Sequence, residues 1–136
     1  MGRVFFGTRK NVHAINADYT ILDSDSGKVF MLSATAGTVA VTLPVAANLV
    51  EGAFYKFIVL EDTPANVITI AAGSAIIDLV QKDLGGDAAN STAGTAVSNI
   101  VIGTATKQGD IVNVFTDGTT YYAECLSSTN NSITTS

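Results

Sequence analysis

The sequence predicts an all-β protein of one domain, folded as an antiparallel β-sandwich or a jelly-roll-like barrel with an extended N-terminal arm. Short stretches rich in Val, Ile, Thr and aromatic residues recur at a spacing of about 8–12 residues, as in sandwiches and small barrels. Turns containing Gly, Asp and Ser separate these stretches, and none of them shows the 3.6-residue apolar period of a long helix. A length of 136 residues fits one domain, which can bury about two thirds of the surface of its unfolded chain.

Alternating apolar residues define the predicted strands, and residues that tolerate tight backbone geometry define the turns. The first 17 residues show neither period and are predicted to form an extended arm. The Asp-Ser-Gly stretch at 25–27 is a turn signal, and the strand after it is interpreted as the return strand of a hairpin. The predicted strands are 18–24, 28–34, 38–43, 53–61, 67–71, 75–80, 96–104, 110–116 and 120–126.

The strand at 53–61 is apolar on both of its faces. Pro44 ends the strand before it, because proline cannot donate a hydrogen bond to a β-ladder. One face of 53–61 is assigned to the core and carries Tyr55, Phe57 and Val59. The opposite face is predicted to be a subunit interface and carries Phe54, Ile58 and Leu60.

The C-terminal half contains one long loop and one clear hairpin. Residues 81–95 are dominated by Gly, Ala, Ser, Thr, Asn and Asp, and loops of this length usually serve a function, are disordered or become ordered on a partner. The hairpin spans 110–126 around an Asp-Gly turn, which is a strong short-turn signal. The predicted organisation is therefore an arm at 1–17, a β-domain at 18–126 and a polar tail at 127–136.

Composition and charge limit the possible partners. Only 14% of the residues are charged, against about 25% in average proteins, which indicates a chain with much covered surface. The net charge is −5, yet Arg3, Arg9 and Lys10 give the first 16 residues a charge of +3. Such an arm either docks on an acidic partner or is a disordered terminus, and the sequence leaves both open. The acidic remainder repels phosphate, so nucleic acid is not an expected partner.

The sequence shows no signal peptide and no apolar run near the ~20 residues of a membrane span. Neither a membrane nor export through a leader is therefore expected. The chain is expected to be made in a cytoplasm and to leave it only by lysis.

No catalytic or metal-binding constellation is apparent, so neither an enzyme nor a cofactor is predicted. The single histidine, His13, lies in the predicted arm, away from the core, and Cys125 is interpreted as a small core residue. The pair Asp23 and Asp25 has the spacing of a calcium loop, but the other ligand positions do not fit, so a hairpin turn is the preferred interpretation. Residues 85–94 are Gly-rich without the helix that a phosphate-binding loop requires.

Several stretches in a fixed order resemble a known family. They are "YTILDSDSGKVFMLSATAGTVAVTLP", "GAFYKFIVLED", "VITIAAGSAI" and "GDIVNVFTDGTTYYAEC". Together they resemble the capsid decoration (cement) proteins of tailed bacteriophages and the related head-fibre and tail-fibre β-domains. The closing hairpin carries Tyr121 and Tyr122 where the family often has Trp. The family pattern has five parts, which fall here at 26–32, 39–44, 52–59, 67–73 and 117–123.

The resemblance implies a structural virion protein rather than an enzyme. Such a protein, made in the host cytoplasm, binds the major capsid protein on the outer capsid surface, often as a homotrimer, and bridges neighbouring capsomers. The alternative is a head-fibre or tail-fibre module that binds a host receptor or glycan through the 81–95 loop. For the decoration role, the residues expected to contact the capsid are those of the arm: Arg3, Phe5, Phe6, Arg9 and Lys10.

Overall fold

The protein is a β-sandwich of two packed mixed sheets. The computed structural model describes residues 11–45, 50–72, 77–83 and 97–136, with the backbone alone at 78–83. The predicted all-β, single-domain sandwich is confirmed, and the two sheets do not close into a barrel. The strands are β1 (Val12–Ile15), β2 (Tyr19–Thr20), β3 (Val29–Leu32), β4 (Val39–Thr42), β5 (Phe54–Val59), β6 (Ile68–Ala71), β7 (Ile77–Asp83), β8 (Asn99–Ile102), β9 (Ile111–Thr116), β10 (Tyr121–Ser127) and β11 (Ile133–Thr135).

The chain alternates between the two sheets. Sheet A has the order β1-β3-β5-β9-β10-β7, and sheet B has the order β11-β8-β6-β4-β2. From β1 to β9, each strand lies in the sheet opposite to that of the strand before it. The chain therefore winds around the core, and up to β6 each strand runs parallel to the strand before it in the same sheet.

Because of this winding, the sheets are mixed, and the expected all-antiparallel pairing is wrong. Among the strands described, five neighbouring pairs are parallel, namely β1–β3, β3–β5, β7–β10, β2–β4 and β4–β6. Four are antiparallel. The hairpin expected around 25–27 is wrong, because β2 and β3 lie in different sheets. A short 3₁₀ turn, Asp23–Asp25, and Gly27 at φ 83° carry the chain across the sandwich instead.

The core lies between the inner faces of the two sheets. Phe30 and Phe57 stack at its centre with ring centroids 5.3 Å apart, and both side chains are fully buried. The strand β5 contributes the three residues assigned to the core from the sequence, Tyr55, Phe57 and Val59, which are all buried. Sheet B contributes mainly branched aliphatic side chains: Val39, Val41, Ile68, Ile70, Ile100, Ile102 and Ile133.

Both ends of the described chain extend the sheets beyond the predicted domain limits of 18 and 126. Val12–Ile15 pairs in parallel with Val29–Leu32, so the described part of the predicted arm includes an edge strand of sheet A. Ile133–Thr135 pairs with Ile100–Ile102, so the predicted tail contributes β11 to sheet B. Residues 1–10 lie outside the described part of the chain.

The closing hairpin forms as predicted. β9 and β10 pair in antiparallel register around the turn at 117–119. Asp117 Oδ1 accepts hydrogen bonds from the backbone N–H groups of Thr119 and Thr120, each at 2.8 Å. Gly118 has φ 95°, a conformation that residues with a Cβ rarely adopt.

Candidate functional site: the outer face of sheet A

Nine side chains from three adjacent strands form the central part of the outer face of sheet A. β9 lies between β5 and β10, and the register aligns their outward residues in three rows. Each row takes one residue from β5, one from β9 and one from β10. The aromatic row is Phe54, Phe115 and Tyr122; the charged row is Lys56, Asn113 and Glu124; the aliphatic row is Ile58, Ile111 and Leu126.

The aromatic row is the most exposed apolar part of the outer face. Phe54 is 45% exposed and Phe115 is 54% exposed. Phe115 and Tyr122 stack with centroids 5.1 Å apart and an interplanar angle of 22°. Phe54 and Phe115 also border a surface groove of about 280 Å³ that runs beside Gly27. Large exposed aromatic side chains in a groove are typical of surfaces that bind a partner.

The charged row carries opposite charges on its two sides. Lys56 on β5 and Glu124 on β10 both pair in register with Asn113 on β9. Two strand spacings separate Lys56 from Glu124, which is about 10 Å between their backbones. Among the side chains described, the ion pair is the one between Lys28 and Asp25, and neither Lys56 nor Glu124 takes part in one.

The aliphatic row continues across the sheet onto β3 and β1. Ile58 pairs in register with Met31, and Met31 pairs with Ala14. The side chains of Ile58, Ile111, Leu126 and Met31 are all partly buried, and that of Ala14 is exposed. This row therefore gives the outer face a continuous apolar band across five strands.

The outer face of sheet B has a different chemistry. Its described side chains are mostly those of threonine and alanine, with one asparagine and one valine, and none of them is aromatic or charged. Threonines suit a solvated strand face, because their branched side chain favours the strand and their hydroxyl meets water. The two sheets therefore present one apolar and one polar surface. The outward residues of sheet B are Thr20, Ala40, Thr42, Thr69, Ala71, Asn99, Val101 and Thr134.

The predicted interface residues fall on one side of the sandwich. Phe54 and Ile58 belong to the outer face of sheet A, and Leu60 follows directly after β5. Leu60 is partly buried, and its backbone N–H donates to the carbonyl of Leu32 at 2.9 Å. The predicted capsid-contact residues Arg3, Phe5, Phe6, Arg9 and Lys10 lie outside the described residues, as does the 84–95 part of the predicted loop at 81–95.

Sequence reasoning missed most of the outer face, although a signal for it was present. Residues 111–116 alternate strictly, with Val112 and Val114 inward and Ile111, Asn113 and Phe115 outward. That alternation predicts an outward aromatic residue on β9. No sequence pattern predicts the alignment of Lys56 with Glu124, because register between distant strands depends on the topology.

The adjacent tyrosines take opposite directions, as period-two alternation requires. Tyr121 is fully buried, and its hydroxyl donates to the carbonyl of Pro44 at 2.7 Å. Burial raises the pKa of Tyr121. Tyr122 points outward and donates to Asp117 Oδ2 at 3.2 Å. Only Tyr122 therefore belongs to the candidate surface.

A buried polar cluster around Asp110 fastens the C-terminal strands. Asp110 is 5% exposed and accepts hydrogen bonds from the backbone N–H groups of Lys107 at 2.9 Å and Ser128 at 3.0 Å. The hydroxyl of Ser127 donates to Asp110 and also contacts that of Ser132. These bonds join the start of β9 to the chain between β10 and β11, which is a structural role.

His13 and Cys125 lie in different parts of sheet A. His13 was expected away from the core, but it lies on β1 and packs against Tyr19 with ring centroids 4.8 Å apart. Cys125 is fully buried on β10, four strands away in the sheet order, which is about 19 Å. Burial, with a smaller contribution from the charge of Glu124, raises the pKa of the Cys125 thiol to about 12. The two residues therefore do not form a nucleophile and base pair.

The carboxylate of Asp25 makes its contacts within the turn that contains it. Its carboxylate forms the ion pair with Lys28 and accepts a hydrogen bond from the backbone N–H of Leu22 at 2.9 Å. Burial acts to raise the pKa of Asp25, but the bonds from Lys28 and Leu22 and the charge of Lys28 outweigh it, so the pKa is lowered. Among the described side chains, no group of three His, Cys, Asp or Glu residues is placed to hold a metal ion.

Comparison with known proteins finds no family model that matches this chain and no curated protein that matches its sequence. Within the described ranges, no helix has the length and apolarity needed to cross a membrane.

Proposed function

We propose that this chain is a structural virion protein, a capsid decoration (cement) protein that binds the outer surface of a phage head. The observation that carries the proposal is the outer face of sheet A, a broad, partly aromatic surface on a sandwich. Surfaces of this kind are usually buried against a protein partner. The resemblance of residues 18–126 to cement proteins supports assembly on a capsid, with this face buried between copies of the chain and the arm in contact with the capsid.

The proposed role is mechanical. Decoration proteins stabilise a head by bridging neighbouring capsomers, so the edges between capsomers gain buried area. Apolar burial contributes roughly 25 cal/mol per Å² before the costs of association are subtracted. Linked copies raise the effective concentration of each contact, so several weak contacts give tight attachment. The resemblance implies that three copies are linked in this way.

The N-terminal segment is the proposed capsid-contacting part. Asn11 lies at the start of the edge strand, where its carbonyl accepts a hydrogen bond from the backbone N–H of Val29 at 2.9 Å. The segment before it would supply the apolar anchors and the positive charges for an acidic capsid surface. These residues are Arg3, Phe5, Phe6, Arg9 and Lys10.

A deletion of residues 2–10 tests the role of the arm, because it stops before β1 and leaves the paired strands intact. We expect the shortened chain to fold with an unchanged circular dichroism spectrum and to occupy far fewer sites on phage heads. Electron microscopy of heads incubated with either form measures this occupancy. Full occupancy by the shortened chain would show that the arm does not bind the capsid.

The number of copies per virion separates decoration from the fibre alternative. Quantitative mass spectrometry of purified particles, with the major capsid protein as internal standard, gives this number. A decoration protein is expected in hundreds of copies. A count of a few to a few dozen would instead assign the chain to a fibre that binds a receptor or glycan.

A further inference from the structure

The outer face of sheet A is complementary to itself. In each of its three rows, the residue on β5 matches the residue on β10 in chemistry, and β9 lies between them. The aromatic row has an aromatic ring at both ends, and the aliphatic row has a branched apolar side chain at both ends. The charged row has Lys56 at one end and Glu124 at the other.

We propose that two copies of this chain pack face to face through the outer face of sheet A, around a two-fold axis that runs along β9. Rotation about such an axis places β5 of each copy over β10 of the other and keeps each row over itself. Lys56 of one copy then faces Glu124 of its partner, and the same contact forms a second time. Ile58 faces Leu126, Phe54 faces Tyr122, and Asn113 lies near the axis.

The charges select this axis over the other face-to-face arrangement. A two-fold axis across the strands would place Lys56 over the second Lys56 and Glu124 over the second Glu124. Like charges directly opposed across an interface disfavour association. The axis along β9 instead forms two pairs of opposite charge, and Lys56 and Glu124 have no ion pair among the described side chains of their own chain.

The inference concerns pairs, and it does not rest on the proposed virion role. A ring of three copies requires each copy to present two different patches that fit one another. The outer face of sheet A is one patch that fits a second copy of itself, which is the property of a two-fold interface. The geometry therefore favours a dimer over the trimer that the family resemblance implies.

Charge reversal tests the inference with the isolated chain. In Lys56→Glu, two acidic residues face each other at both contacts, and in Glu124→Lys, two basic residues do so. Each variant alone is therefore expected to dissociate at least about tenfold more readily than the wild type. Lys107→Glu changes the net charge by the same amount as Lys56→Glu, lies in the connection between β8 and β9, and is the matched control.

Mixing the two variants gives the decisive result. In a Lys56→Glu and Glu124→Lys pair, both contacts again join opposite charges, so an equimolar mixture is expected to recover the dimer. Sedimentation velocity should give twice the 14.0 kDa mass of one chain for the wild type, the control and the mixture. Circular dichroism checks that each variant is folded. A monomeric or trimeric wild type, an unaffected single variant or a mixture that stays monomeric would each overturn the proposal.

Discussion

Tyr121 and Tyr122 show how one position in a strand decides the role of a residue. The hydroxyl of Tyr121 is buried and satisfies the carbonyl of Pro44 at 2.7 Å. This bond fastens the chain that leaves β4 to the inner side of β10. Tyr122, one residue later, stacks on Phe115 at the surface. Loss of the Tyr121 hydroxyl should therefore lower the stability of the fold more than loss of the Tyr122 hydroxyl.

We expect Tyr121→Phe to lower the free energy of unfolding by about 1–2 kcal/mol, because it leaves a buried carbonyl without its donor. Tyr122→Phe is the matched control and should change stability by less than about 0.5 kcal/mol, since its hydroxyl is at the surface. Urea unfolding followed by circular dichroism measures both. Equal losses in the two variants would contradict this account of the Pro44 contact.

Asp117 makes the closing hairpin sensitive to acid. The backbone N–H groups of Thr120 and Thr119, and the hydroxyl of Thr119, lower the pKa of Asp117 from its ordinary value of 3.8 to about 2. A carboxyl group whose pKa is lower in the folded state stabilises the fold above its unfolded pKa. That contribution is lost as the pH falls from about 4 towards 2.

The Asp117→Asn variant separates this effect from general acid unfolding, because the amide keeps an acceptor oxygen but does not titrate. At neutral pH we expect the wild type to have the higher Tm. The difference in Tm should shrink as the pH is lowered from about 4 to 2. Thermal unfolding of both proteins across this range measures it, and a difference that stays constant would rule out the titration of Asp117 as its source.

At the scale of the elements, strands were more predictable than their pairing. Alternation located β5 and β9, and the Asp-Gly turn predicted the β9–β10 hairpin correctly. The turn at 25–27 was wrongly predicted to form a hairpin, because a glycine at positive φ such as Gly27 can also occur where the chain crosses between sheets. A turn signal reports that the chain changes direction, and it does not report which sheet the next strand joins.

The edge strands β1 and β11 were missed for a related reason. Val12–Ile15 and Ile133–Thr135 have four and three residues, which is too short for a period to emerge from polar surroundings. Both owe their conformation to pairing with β3 and β8, far along the chain. The candidate surface was predicted only on β5, because its other two strands join it through long-range register.

Substitution on the two outer faces tests which one mediates self-association. Ile58 and Thr69 both point outward from inner strands, β5 of sheet A and β6 of sheet B. Aspartate is unfavourable in a strand at either site, by up to about 1 kcal/mol. We expect Ile58→Asp to abolish self-association and Thr69→Asp to leave it unchanged. Size-exclusion chromatography with light scattering measures both masses, and an associated Ile58→Asp protein would contradict the assignment.

The whole molecule is a sandwich with two unlike surfaces. Sheet B presents threonines and small residues, and sheet A presents the aromatic, charged and aliphatic rows. The proposed decoration role requires such a surface on a stable fold.

The proposed decoration role is tested most directly by adding the purified chain to phage heads that lack it. We expect binding that saturates at hundreds of copies per head, together with a rise in the temperature at which the heads release their DNA. Quantitative gel analysis of sedimented heads measures the first, and a dye that detects released DNA measures the second. Heads that bind no chain at saturating concentration, or that bind it without any gain in thermal stability, would contradict the proposal.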